Sequence, residues 1–258
     1  MLRETEDLCR EHDVDILILA ECELSDVKIL QTINSNLERK FTAPYNQFSR
    51  LSLFYRYAPE SIRLVRDTDR VTIRRIFPPL SEDFLLVALH LPSKLRMQDK
   101  EQVFECLRVM QLVKEAEARV KHDRTLVIGD FNMNPFAVGM VSADGFHAVM
   151  DRNVASKVSR KVLGQDCKYF YNPMWQLMGS AQNDCMGTNY YRGGHISYFW
   201  NTFDQVLLRP SLIQHFKIIE LSIISQIRNR SLIKNNKIDK SFSDHLPVAT
   251  KLNFLHIN

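Results

Sequence analysis

The chain has 258 residues, 45% apolar and 25% charged, with 34 Lys and Arg against 30 Asp and Glu and a formal net charge of +4. This is globular composition, and it excludes a disordered chain, which needs low hydrophobicity and a large net charge. With 8 Gly and 9 Pro it is not collagen-like or low-complexity material, and its length suits one α/β or two-sheet domain.

Residues 2–12 suit a short helix with Leu2, Leu8 and Cys9 on one side. VDILILA (14–20) is a near-continuous apolar run, as in a strand covered on both faces. Val27, Leu30, Ile33 and Leu37 recur at helical spacing behind Ser25, a suitable N-cap. Residues 49–57 alternate, and 62–66 and 71–77 read as further strands, the last stopped by Pro78 and Pro79. FLLVALH (84–90) is another buried strand. Val103, Leu107, Met110, Val113 and Val120 then mark a helix over 99–121. TLVIG (125–129) is a strand that ends in GDFN. Residues 131–202 have weak periodicity and read as long loops and short helices. Strands follow at 203–209, 216–224 and 247–254. Strands mixed with few helices, and no linker between them, predict a single domain over residues 1–258: an α/β sandwich of two sheets with helices outside.

No apolar run approaches the roughly 20 residues of a membrane-spanning helix. The charged start MLRETEDLCREHD has no signal-peptide core. The five cysteines, Cys9, Cys22, Cys106, Cys167 and Cys185, are odd in number and form no C-x-x-C pair. They read as free thiols, and a cytoplasmic protein is expected. Residues 226–240 hold five basic residues and one acidic, so they alone carry the net charge. Such a segment marks a phosphate-bearing partner unless it is only a solvated loop.

Acidic and imidazole groups recur at strand ends. Glu21 follows DILILA, His90 ends FLLVALH, Asp130 and Asn132 follow TLVI, Asp204 begins FDQVLL, and Asp244 and His245 precede the last strand. Each has a plain structural reading on its own, as a surface charge, a turn residue or a core histidine. Together, at rigid strand ends, they converge on one mouth. Several carboxylates so close need a cation or a proton. Oxygen ligands select Mg²⁺ or Mn²⁺, and histidines beside them bind phosphate or move a proton, so the chemistry points to phosphoester hydrolysis.

The order D-I-L-I-L-A-E, L-H-L-P-S, V-I-G-D-F-N, F-D-Q-V-L-L and S-D-H-L-P-V resembles the endonuclease/exonuclease/phosphatase superfamily of deoxyribonuclease-I-like phosphodiesterases. The resemblance runs from about Asp15 to Val248. It implies a four-layer α/β sandwich, two mixed sheets face to face with helices outside. It assigns Glu21 to Mg²⁺, with Glu23 a nearby competitor, and Asp244 to a second metal-associated carboxylate. Asp130 would orient or activate the attacking water, and Asn132 would hold the scissile phosphate. Asp204 would orient His245, and His90 would be a phosphate donor or general acid. Asp130 and His245 share the role of base. The resemblance also implies a first strand ending in a metal-site asparagine. No Asn precedes Asn34, so the expectation is that this strand is missing, and that the start is internal or the chain a truncated, weakened form.

Loops set the substrate. Tyr191 and Trp200, with Tyr190 and Tyr198, are placed to stack bases. Arg228 and Arg230 lie close before the S-D-H motif, where they would hold phosphates. The cluster Tyr169, Tyr171 and Trp175 reads as the apolar underside of a loop. The expected function is a Mg²⁺- or Mn²⁺-dependent nuclease acting on nucleic acid, without a membrane. The alternatives are a phosphatase, a lipid or inositol phosphodiesterase, or a catalytically weakened binding protein on the same fold.

Overall fold

A computed structural model describes residues 2–44, 50–93, 99–178, 186–193, 195 and 197–254. Cys185 and parts of the 183–200 loop lie outside them. The helices are α1 (Leu2–Glu11), α2 (Asp26–Ile33), α3 (Asp99–Val120), α4 (Val138–Val141) and α5 (Arg152–Ala155). The strands begin with β1 (Ile16–Ala20), β2 (Leu51–Tyr55), β3 (Ile62–Asp67), β4 (Val71–Ile76), β5 (Phe84–His90), β6 (Thr125–Asp130) and β7 (Ala148–Val149). Then come β8 (Ser159–Val162), β9 (Gln165–Lys168), β10 (Phe170–Tyr171), β11 (Asn189–Tyr191), β12 (Phe199–Asn201), β13 (Asp204–Leu208) and β14 (Phe216–Ile223). The last are β15 (Gln226–Ile227), β16 (Arg230–Ser231), β17 (Ile233–Lys234), β18 (Lys237–Ile238) and β19 (Val248–Leu252).

A mixed seven-stranded sheet runs β3-β4-β5-β6-β13-β10-β7. The apolar runs at β5 and β6 are continuous because both faces are covered. On one face Val87, Leu89 and Val127 pack under Cys106, Val109, Met110 and Val113 of α3. On the other, Leu86, Leu126, Val206 and Leu208 meet Leu53, Tyr55 and Leu221, with Ile16, Ile18, Val248 and Leu252 half-buried against them. β5 and β6 are parallel, joined through α3, and β13 returns antiparallel to β6. This register puts His90, Asp130 and Asp204 in one row across three adjacent strands.

The second layer is made of two strand pairs, β1–β2 and β14–β19. β2 lies over β5, β1 over β6 and β19 over β13. Among the described residues no ladder joins β1 to β19. α1 and α2 cover the outside of the β1–β2 pair through Cys9, Ile29 and Ile33, which pack on Leu17 and Phe54. Ser25 caps α2 as its sequence predicts, its hydroxyl accepting from Lys28 N.

The stretch 131–202 is more ordered than its weak periodicity suggests. It holds short helices, the hairpins β8–β9 and β11–β12, and the two-residue strands β7 and β10 that extend the main sheet. The basic stretch 226–240 is not an open loop. It folds as two tight hairpins, β15–β16 and β17–β18, and Asn235 and Asn236 take the left-handed conformation that a two-residue hairpin turn requires. Among the described residues no helix is long and apolar enough to cross a membrane, and Cys9, Cys22, Cys106 and Cys167 are free thiols.

Candidate active site

The row His90–Asp130–Asp204 ends at the mouth of the sheet. Gly129 makes the approach of β6 to β5 possible. Its φ is +142°, and a Cβ there would lie 2.0 Å from the Leu89 carbonyl oxygen. The chain then turns back at Asn132, whose φ of +50° is tolerated by asparagine. The turn lets Asn132 N donate to Asp130 Oδ1 at 2.7 Å and Asn132 Nδ2 donate to Asp130 Oδ2 at 2.9 Å. Asn132 Nδ2 also donates to the Leu91 carbonyl at 2.8 Å. One side-chain amide hydrogen of Asn132 therefore goes to Asp130 and the other to the Leu91 carbonyl. In this arrangement Asn132 orients Asp130, beside the phosphate role expected of it.

His245 arrives from the loop before β19. Its Nδ1 lies 2.7 Å from Asp204 Oδ2. The strand β11 holds the loop in place: Asn189 pairs with His245 as a β-bridge, Leu246 N donates to Thr188 O, and Asn189 Nδ2 donates to Asp244 O. Thr188 also accepts at Oγ1 from the backbone of Phe203 and Asp204, so one buried threonine fixes both members of the pair. Sequence reasoning passed over Thr188, since a threonine in a loop carries no local signal of this kind. Asp130, Asp204 and His245 each turn one atom to a common point, with all three atoms within 4.8 Å of one another.

Glu21 completes the group from β1. Its φ is +53°, a left-handed conformation that glutamate avoids, and it brings Oε1 to 3.6 Å from His90 Nε2. Asp130 Oδ2 lies 3.7 Å from the same nitrogen. The structure therefore brings together five of the expected residues from four strand ends and one loop, with Asn132 behind Asp130. Asp244, expected on the metal, is exposed and lies outside the group, although its charge acts on His245. Glu23 is likewise outside it.

The electrostatics follow from burial and like charge. Burial and the facing Asp204, with Glu21 behind them, push the Asp130 carboxyl up to about 7. Burial pulls His245 down, but the Asp204 carboxylate outweighs it, and with Asp130 and Asp244 lifts the imidazolium to about 9. Burial also pulls His90 down, against the Glu21 carboxylate. His90 thus enters as a neutral ring and His245 as a cation.

The expected substrate side chains fare differently. Arg228 pairs with Asp7 of α1 at 2.9 Å, and Arg230 pairs with Glu4 and, at 3.5 Å, with Asp239. These guanidinium groups pin the β15–β16 hairpin to α1, a structural role beside the phosphate contact expected of them. Trp200 stands opposite Tyr190, edge-on at 5.3 Å, and both pack against the apolar cluster around Leu232 and Leu246. Trp200 is therefore a half-buried support rather than an open platform. Tyr191 projects from the other face of the β11–β12 hairpin and is exposed.

No protein-family model and no curated protein sequence matches the chain. Solved structures do. An endonuclease/exonuclease/phosphatase family protein from Bacteroides thetaiotaomicron is 17% identical, with a TM-score of 0.56 over 96% of this chain and 86% of that one. An AP endonuclease from Archaeoglobus fulgidus is 13% identical, with a TM-score of 0.56 over 97% and 93%. A 3′ phosphatase from Neisseria, bound to a product DNA hairpin, is 13% identical, with a TM-score of 0.54 over 98% and 94%. The fold of this chain is that of the endonuclease/exonuclease/phosphatase proteins.

Proposed function

We propose that this protein is a divalent-metal-dependent phosphodiesterase that cleaves nucleic acid. The observation that carries the reading is the meeting of Asp130, Asp204 and His245 within 4.8 Å, with Glu21 and His90 beside them. The similar fold of an AP endonuclease and of a phosphatase bound to DNA supports nucleic acid as the substrate class.

The residues fit a hard cation. Glu21, Asp130 and Asp204 gather negative charge around a single imidazolium, and their ligand atoms are all oxygen, which suits Mg²⁺ or Mn²⁺. Glu21 would hold such an ion, which when bound neutralises charge on the phosphate as it is attacked. His245, protonated up to about 9 and held by Asp204, donates to a phosphate oxygen. Asp130, with a carboxyl near 7 and both oxygens oriented by Asn132, takes the proton of the attacking water. The two candidates for base thus divide the work, with Asp130 the base and His245 the donor. His90 keeps a neutral ring between Glu21 and Asp130, from which Nε2 hydrogen-bonds the phosphate or the leaving oxygen.

The test is a panel of double-stranded DNA, single-stranded DNA, RNA, bis-p-nitrophenyl phosphate and the monoester p-nitrophenyl phosphate, each with Mg²⁺, Mn²⁺ or EDTA. Cleavage of a polynucleotide that EDTA abolishes, and that Asp130→Asn reduces at least about 100-fold, is expected. Activity untouched by EDTA refutes the metal. Turnover of phosphomonoesters alone refutes the diester.

A further inference from the structure

Three aromatic rings lie together outside every apolar cluster of the core. Phe136 meets Tyr198 at 5.4 Å between ring centroids, inclined at 69°. Phe136 also meets Trp175 at 6.1 Å, inclined at 59°. Phe136 is 39% and Tyr198 62% exposed, and Trp175 is half-buried. None of the three joins the clusters that hold the sheets and helices together. Each comes from a different segment: the loop after Asn132, the turn Pro173–Gln176, and the approach to β12.

The rings are mounted on the residues that follow Asn132. Gln205 Nε2 donates to Met133 O at 2.6 Å, and Gln205 Oε1 accepts from Asn172 Nδ2 at 2.8 Å. Asn172 Oδ1 in turn accepts from Met174 N and caps the turn that carries Trp175. Asn172 and Gln205 have no exposed surface. One step along, Asn134 Nδ2 donates to Asn201 Oδ1 at 2.9 Å and Asn134 Oδ1 accepts from Thr202 N at 2.8 Å, tying the Phe136 loop to β12. The Asn134 carbonyl accepts from Ala137 N and closes the turn that bears Phe136. Buried amide networks of this kind fix positions; a solvent-facing apolar underside would not need them.

Phe136 lies four positions after Asn132, which is at most about 14 Å of chain. That is the reach of a few nucleotides from the phosphate held at Asp130 and His245. Phe136 and Tyr198 keep ring surface open to solvent, and every nucleobase offers a π face to stack on such a ring. A base inside a duplex is already stacked, so the face suits an unpaired one.

We propose that Phe136, Trp175 and Tyr198 form a stacking site for an unpaired base near the scissile phosphate, so that the protein acts on single-stranded or frayed nucleic acid ends. This rests on the phosphodiesterase reading for its placement beside the phosphate, and the test separates the two. The chain has two tryptophans, so Trp200→Phe leaves Trp175 as the only one. In EDTA, a short single-stranded oligonucleotide should quench Trp175 fluorescence saturably, and the same oligonucleotide with abasic residues throughout should not. In Mg²⁺, Phe136→Ala with Tyr198→Ala should raise KM for the base-bearing oligonucleotide roughly ten-fold and leave cleavage of the abasic one unchanged. Quenching without hydrolysis keeps the stacking site and overturns the enzyme. Hydrolysis with equal losses on both substrates overturns the stacking site, as does oligonucleotide binding, seen by anisotropy of a labelled strand, without quenching. No binding by either measure also overturns it. Melting curves of the double variant check that its fold is intact.

Discussion

Asp204→Asn isolates the charge that governs the site. In the native protein Asp204 Oδ2 sits 2.7 Å from His245 Nδ1, and the ring keeps its proton up to about 9. An ordinary histidine titrates near 6.5, so the environment favours the imidazolium by a few kcal/mol. Burial opposes this, and Asp204 is the foremost cause that supports it. The amide of the variant keeps the shape and removes the charge. His245 should then titrate below 6.5, because burial still pulls it down. The measurement is the His245 ring-proton chemical shift against pH in EDTA, assigned with His245→Ala. A value remaining above 8 would refute the argument, since Asp130 and Asp244 would then be sufficient. The stability follows the same sign. The folded value is raised, so the pair's contribution is complete below about pH 6.5 and is lost as pH rises through about 9. The variant should lose that dependence. In turnover, Asp204→Asn and His245→Ala should each cost about 100-fold, and the double variant little more than either, as for groups that act as a unit.

Three further outcomes follow from the same geometry. Asp130 ionises in the fold only near 7, so in EDTA the melting temperature should fall between about pH 4 and 7 as burying its charge becomes unfavourable, and Mg²⁺ should raise it more at pH 8 than at pH 5; a gap independent of pH would refute this. Gly129→Ala drives a Cβ to within 2.0 Å of Leu89 O and should both lower the melting temperature and cut activity about 100-fold by displacing Asp130, whereas Gly164→Ala, with open space around it, should leave activity alone. Arg228→Gln with Arg230→Gln should loosen the hairpin from α1 but leave the salt dependence of nucleic-acid binding unchanged; a flatter slope would establish both residues as phosphate contacts.

Much of this site is written locally in the chain. Strands buried on both faces show as unbroken apolar runs, and the residue after such a run stands at the sheet's mouth, so Glu21, His90, Asp130 and Asp204 are legible one by one. What is not legible comes from distant partners. The basic segment looks free until Asp7 and Glu4, more than 200 residues earlier, come to face it. That Asn132 orients Asp130 shows only once its hydrogens are found on Asp130 and Leu91. Thr188 and the Asn172–Gln205 pair support the site through buried hydrogen bonds that no periodicity records. Trp175 reads as loop filling because its contact with the exposed Phe136 depends on how separate loops are mounted.

The split in the second layer has a consequence for the molecule in solution. Among the described residues β1 pairs only with β2 and β19 only with β14, while β1 lies over β6 and β19 over β13. Ile16, Ile18, Val248 and Ala249 are only half-buried there, although the strands lie between a sheet and the rest of the fold. β19 carries the exposed Lys251, a charge of the kind that guards an edge; β1 is ILILA and has none. An unguarded apolar edge is a template for intermolecular pairing. An extended segment of a second molecule would find unpaired backbone groups on either edge. Concentration and solubility should therefore be governed at β1, far more than by the surface charge of the basic hairpins.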